Sequence, residues 1–179
     1  MKRFLLWASF IMIAASAFAI EPQKVGSSHA QDGYDSKDIV VTVAVNLGVE
    51  GRLWLSAGHS YPMLFSERDK LVRLVQIAAR KVDIAIANKT TISFVQELGR
   101  FYTEDASLVT VSFETDGYGS SYTVIQISGK GDNVILLLNK KDSQDFLSVV
   151  GGLVDDFQRQ KALFNEGGSY MSTSTPSSR

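Results

Sequence analysis

The chain has 179 residues, 18 of them Lys or Arg and 19 Asp or Glu, which gives a formal charge of −1, and it contains no cysteine. That balance speaks against the broad basic surface of a nucleic-acid binder, and the missing thiols exclude disulfide staples, thiolate metal sites and cysteine nucleophiles. With 45% hydrophobic residues the chain can furnish a core, and its stability has to come from burial alone.

Lys2 and Arg3 lead into an uncharged run from Phe4 to Ala19 that ends in Ala17-Phe18-Ala19, the order of a cleavable signal peptide over residues 1–19. The run is shorter than the roughly 20 apolar residues a spanning helix needs, and Ile20-Glu21-Pro22 follows instead of a basic stop-transfer cluster. The expectation is therefore an exported chain, periplasmic or extracellular, with no stable membrane insertion after cleavage. The absence of cysteine favours a bacterial envelope or medium over a eukaryotic secretory route, where the Asn88-Lys89-Thr90 sequon would matter. Losing Lys2 and Arg3 makes the remainder more acidic.

Residues 20–37 are rich in Gly, Ser, Gln and Asp and read as a flexible linker, since they carry too little apolar surface to offset their ordering entropy. Ile39, Val41, Val43, Val45 and Leu47 then alternate with Val40, Thr42, Ala44 and Asn46, which specifies a strand. Gly48 and Gly51 bracket a turn, and Arg52 to Ala57 is its hairpin partner, with Leu53 and Leu55 facing away from Trp54. Gly58 to Pro62 interrupts the pattern before a short extended piece at Met63 to Phe65.

Ser66 is the expected N-cap of a helix over residues 67–87, in which Leu71, Leu74, Val75, Ala78, Val82 and Ala85 form an apolar stripe opposite Asp69, Arg73, Gln76, Arg80 and Asp83. Arg73, Arg80 and Lys81 cluster there, but with Asp69 and Asp83 among them they read as a solvated face. Residues 90–102 fit two patterns: Ile92, Val95, Leu98 and Phe101 have helical spacing, while the composition prefers a strand, which is the reading taken. Strands at 108–114, 122–128 and 134–139 make an antiparallel meander, and Val134 to Leu138, apolar throughout, should be covered on both faces. A second helix over about 142–164, starting at Asp142 or Ser143, carries Phe146, Val149, Val150, Leu153, Phe157 and Phe164 on one side. Gly151-Gly152 inside it costs about 1 kcal/mol per glycine relative to alanine, which points to close approach of that helix to the sheet. Residues 165–179 read as a disordered tail.

The fold class is thus two-layer α+β: one domain over 38–164, an antiparallel sheet with an amphipathic helix inserted between strands and a C-terminal helix packed on it. No internal repeat is evident in the sequence.

Groups able to carry chemistry are sparse. His59 is the only histidine in the expected folded region, so a Ser-His or His-carboxylate mechanism would have to use it; Ser60 is adjacent, but neighbours in an extended segment point to opposite sides. No metal spacing is present, and Asp105, Asp116 and Asp132 are scattered rather than set in a calcium loop. Gly129-Lys130-Gly131 lacks the spacing of a phosphate loop, so no cofactor is expected. A catalytic carboxylate pair would have to come from Glu97, Glu104, Glu114 or Asp116 across neighbouring strands. The glycine- and tyrosine-rich loop Asp116 to Tyr122 has the composition of an adaptable contact surface, so Tyr118, Tyr122 and Asp116, with Tyr61, are the expected binding residues. The functional expectation is a non-catalytic exported protein that binds a protein or envelope ligand. A hydrolase built on His59 with Ser60 or a distant carboxylate is the first alternative, and a structural or assembly subunit of the cell envelope is the second.

Overall fold

The computed structural model describes residues 23–33, 35, 37–45, 52–129 and 131–152. The expected signal peptide, the Gly48–Gly51 turn, the far half of the second helix and the expected tail lie outside these residues. Along the described chain run β1 (Gln23–Asp32), β2 (Asp38–Val45), β3 (Arg52–Ala57), β4 (His59–Leu64), α1 (Phe65–Ala87), β5 (Ser93–Tyr102), β6 (Leu108–Asp116), β7 (Ser121–Gly129), β8 (Asp132–Leu138) and α2, helical over residues 140–152. The strands form one antiparallel sheet in the order β4-β3-β2-β1-β8-β7-β6-β5. Four strands followed by a helix therefore occur twice, and the two runs meet where β1 pairs with β8. The connectivity repeats although the sequence does not.

Both helices cover the same face of the sheet. Val41, Val43, Leu53, Leu55, Val109, Val111, Ile125, Ile127 and Leu136 point inward and pack with Leu71, Val75 and Ala78 of α1 and Phe146 and Val150 of α2 in one cluster. Each fully buried aliphatic side chain of this kind contributes about 1.5–3 kcal/mol. The stripe read from the sequence of α1 is the buried one, except that Leu74 is half-buried against Gly99. α1 lies chiefly over β6 and β7. α2 begins beside β7, where the Ser143 hydroxyl donates to Thr123 at 3.1 Å, and reaches β1, where Val149 sits against Gly26.

Several expectations need correction. Residues 23–32 are not linker but β1, an inner strand of the sheet paired on both sides. Its inward residues are small, Ser28 and Ala30, because α2 passes close: a Cβ built on Gly26 would meet Val149 Cγ1 at 2.8 Å. Small polar residues here mark helix–sheet proximity, and the sheet ladder supplies the stability the composition lacks. Glycine's close approach is thus a property of the strand; a Cβ built on Gly151 or Gly152 of α2 would meet nothing within 4 Å among the described residues, against expectation. Gly58 is a turn at φ +78°, and β4 starts at once at His59 rather than at Met63; with β1 added, four strands rather than three precede α1. Leu64, not Ser66, occupies the N-cap position of α1, and Glu67 reaches back to accept its N–H at 2.8 Å, half of a capping box. Asn139 caps α2 by accepting the Asp142 N–H at 3.0 Å, ahead of the expected start. In β8, Val134, Leu136 and Leu138 are buried, whereas Ile135 and Leu137 are only half-buried on the outer face. That strand is covered on one side only, because both helices lie on that side.

Candidate partner-binding surface

The residues singled out in the sequence do not form one site. His59 and Asp132 approach at 3.4 Å between Nδ1 and Oδ2, but their side chains are 63% and 46% exposed. Ser60 lies on the outer face, where its hydroxyl bonds Ser56 across the hairpin at 2.5 Å. Among the described residues the histidine therefore has a carboxylate but neither a sheltered pocket nor a nucleophile beside it, and the hydrolase reading draws no support from this geometry.

Tyr61 is an inward residue of β4, 4% exposed. Burial pushes its phenol above the ordinary value of 10.0, and the carboxylates of Asp132 and Asp105 push it the same way. Its hydroxyl has no hydrogen-bond partner among the described residues, and neither has that of Ser28. Tyr61→Phe should therefore be neutral or stabilising by up to about 1 kcal/mol, since it removes a buried unpaired hydroxyl. A group whose pKa is raised by folding contributes stability below its unfolded value that is lost as the pH rises through the folded one. Urea midpoints above pH 10 should thus fall for the wild type and not, by this route, for Tyr61→Phe. A loss of 2 kcal/mol or more at neutral pH would instead make Tyr61 a functional hydrogen-bonding group.

Asp116 shapes a turn. Its Oδ1 accepts the N–H of Tyr118 at 2.7 Å and of Ser120 at 3.0 Å, while Gly117 and Gly119 take φ of +80° and +100°. The Tyr118 amide is the main cause of a carboxyl held below its ordinary value of 3.8; desolvation opposes it and the Ser120 amide supports it. Because folding lowers this pKa, the turn's contribution is complete above 3.8 and lost as the pH falls below it. The stability difference between the wild type and Asp116→Asn, followed by urea denaturation across that range, should shrink on acidification. Tyr118, 94% exposed, stands at the loop tip. Tyr122 and the loop's Gly119 and Ser120 border an open cleft of about 470 Å³ with Asn139, Lys140 and Lys141. Of the expected binding residues Tyr122 alone lines this cleft; Asp116 and Tyr118 stay in the turn beside it, and Tyr61 does not join them.

The carboxylates each have a partner. Glu104 pairs with Arg52, Glu97 lies 3.6 Å from Arg100 Nε, and Glu114 accepts the Ser112 hydroxyl at 3.0 Å. Asp105, Asp116 and Asp132 sit in three different turns, and no group of three His, Cys, Asp or Glu able to hold a metal ion occurs among the described residues.

The feature most open to a partner was not singled out in the sequence. One edge of the sheet, β4, is six residues long and contains Pro62, which has no N–H to offer. The other, β5, is ten residues long without proline, and no strand flanks its outer side among the described residues. An edge of that length carries unpaired backbone donors and acceptors ready for another chain. Around it lie exposed apolar side chains: Ile92, Phe94, Val95 and Tyr102, with Ile77 and Ile84 of α1. Phe94 is held edge-to-face on Phe113 at 5.3 Å, and Thr115 accepts its N–H while donating to the Ile92 carbonyl, which fixes the start of the strand.

Between β5 and α1 the surface is grooved. One recess of about 330 Å³ is lined by Lys70, Arg73, Ile77 and Phe101, and another of about 230 Å³ by Lys81, Ile84 and Phe94. The acids that tempered the basic cluster in the sequence turn away: Asp83 pairs with Lys140 and Asp69 with Arg68. Lys70, Arg73, Arg80 and Lys81 take no part in the ion pairs among the described residues. Among the described residues, apolar side chains flanked by cations outside any ion pair therefore lie beside an edge strand with no neighbour.

Among the described residues no helix is long and apolar enough to cross a membrane. Comparison of the chain with protein-family models, with curated proteins and with solved structures gives no match in any of the three.

Proposed function

We propose that this chain is an exported, non-catalytic interaction protein that holds a polypeptide on its β5 flank. The observation that carries the reading is the ten-residue edge of β5, unpaired among the described residues, with Val95 and Tyr102, 67% and 68% exposed, on the strand. A lipid surface could cover the apolar and basic side chains but offers hydrocarbon no means of satisfying the strand's N–H and C=O groups; an extended polypeptide satisfies them by adding to the sheet. Export is supported by the basic start, the uncharged run and the Ala17-Phe18-Ala19 terminus of residues 1–19. The same edge favours the assembly-subunit reading over the hydrolase one.

The test is a photo-crosslinking amino acid placed at Val95 and, as a control, at Tyr118, in the protein produced in its native host. The reading expects polypeptide adducts from position 95 in the envelope or medium, with a mature chain that begins after Ala19. Adducts from position 118 alone, or a chain retaining Met1 in the cytosol, would contradict it.

A further inference from the structure

We infer that the polypeptide received by β5 is a second copy of this chain, added antiparallel about a two-fold axis at the Leu98–Gly99 bond. The inference rests on the reading of β5 as the contact surface and adds the identity and register of what binds there. β5 carries an irregularity between Glu97 and Gly99 in its pairing with β6. Opposite the inward Val109, Val111 and Phe113 stand Phe101, Gly99 and Gln96, and Leu98 also packs on the core, so 98 and 99 share the inner side. Opposite Leu108, Thr110, Ser112 and Glu114 stand Tyr102, Arg100, Glu97 and Val95, on the outer side.

That extra residue makes the strand's facing symmetrical about the 98–99 bond. Paired antiparallel with itself there, β5 joins 98 to 99 and 96 to 101 on the inner face, and 97 to 100 and 95 to 102 on the outer face. A strand of unbroken alternation cannot do this, because a two-fold axis between adjacent residues would set every residue against one of the opposite face. Moving the register by one residue mismatches every outlying pair, and moving it by two loses the charge match. In the symmetrical register each Glu97 meets the other copy's Arg100, and each exposed Val95 meets the other copy's exposed Tyr102, a β-branched and aromatic cross-strand pair. A bulge and a pair of charges are devices that usually blunt a sheet edge; here they are placed so that a second copy satisfies both. α1 lies chiefly over β6 and β7 and meets β5 on its inner face, where Leu74 sits against Gly99, so among the described residues the outer side of the edge is left for a second copy.

The test exploits the absence of cysteine. Chains carrying Val95→Cys and chains carrying Tyr102→Cys are mixed and oxidised mildly. The register expects the mixed disulfide in large excess over the 95–95 and 102–102 products, whose partners lie at opposite ends of the joined strands. In sedimentation equilibrium the wild type should weigh as a dimer. Glu97→Arg and Arg100→Glu should each weaken it by roughly tenfold, since two contacts turn repulsive in each dimer, and the double reversal should restore it. Both residues are exposed, and circular dichroism checks that each variant folds. Wild-type monomer at micromolar concentration, equal yields of the three disulfides, or a double reversal no better than the single ones overturns the inference. A Val95 photo-adduct of foreign mass on a monomeric wild type overturns the second copy while keeping β5 as the contact surface. No β5 adduct of any mass overturns both.

Discussion

Phe146→Ala is expected to destabilise the fold by about 3–5 kcal/mol. Among the described residues Phe146 is the largest fully buried side chain, at 0% exposure, and with Val150 it is the buried part of α2 in the central cluster, Leu147 and Val149 packing beside it. Truncation removes its transfer energy and leaves a void between a helix and a pleated layer, neither of which can close on it without moving as a whole. Phe146→Leu, nearer in volume, should cost less than about 1.5 kcal/mol. Urea denaturation gives both values, and the denaturant slope should stay constant if only the native state is affected. An alanine variant within 1 kcal/mol of the wild type would mean that α2 is not seated on the sheet.

The second large effect is expected at Arg68→Met, about 2–3 kcal/mol. Arg68 is buried in the first turn of α1 and bridges the two helices: its Nε donates to the Val150 carbonyl at 3.0 Å and its Nη2 to the Gly151 carbonyl at 2.8 Å, while Nη1 is paired with Asp69. Hydrogen bonds from a charged donor contribute roughly 1.5–3 kcal/mol, and methionine keeps the apolar stem while removing them. Lysine has one nitrogen where two are needed, so Arg68→Lys should recover less than half of the loss. Hydrogen exchange should locate the effect: amides of α2 should exchange faster in Arg68→Met, and those of β6 and β7 should hardly change.

What could be read in advance follows from where the period of the chain is undisturbed. The α1 stripe and the alternation of β2 and β3 were legible because each has one face on the core and one in water, so the sequence prints the geometry directly. β1 was hidden because its inward positions are Gly26, Ser28 and Ala30, chosen for the nearness of α2, and composition cannot separate a strand made small by packing from a segment with nothing to pack. β5 looked ambiguous for a related reason: the extra residue at Leu98 sets Leu98 and Phe101, three apart, on the same face and so imitates helical spacing. The proposed contact surface on β5 was illegible because it depends on tertiary neighbours. Only pairing partners show that β5 is an edge, and only the placement of Lys140 and Arg68 shows that the acids of α1 are engaged elsewhere. Tyr61 illustrates the converse, since an aromatic near a loop in the sequence proved to be core once the β3–β4 turn closed after one glycine.

The repeated connectivity has a consequence for how the chain acquires its structure. The helix closing the first run of four strands lies across strands of the second run, and the helix closing the second returns to β1. Each half thus holds the other's lid. A nascent chain that ends before β6 gives α1 only its lesser contacts with β4 and β5 and gives the first four strands no α2, so order should arrive late, through contacts between residues far apart in the chain. Slow closure of this kind leaves no stable half-molecule along the way.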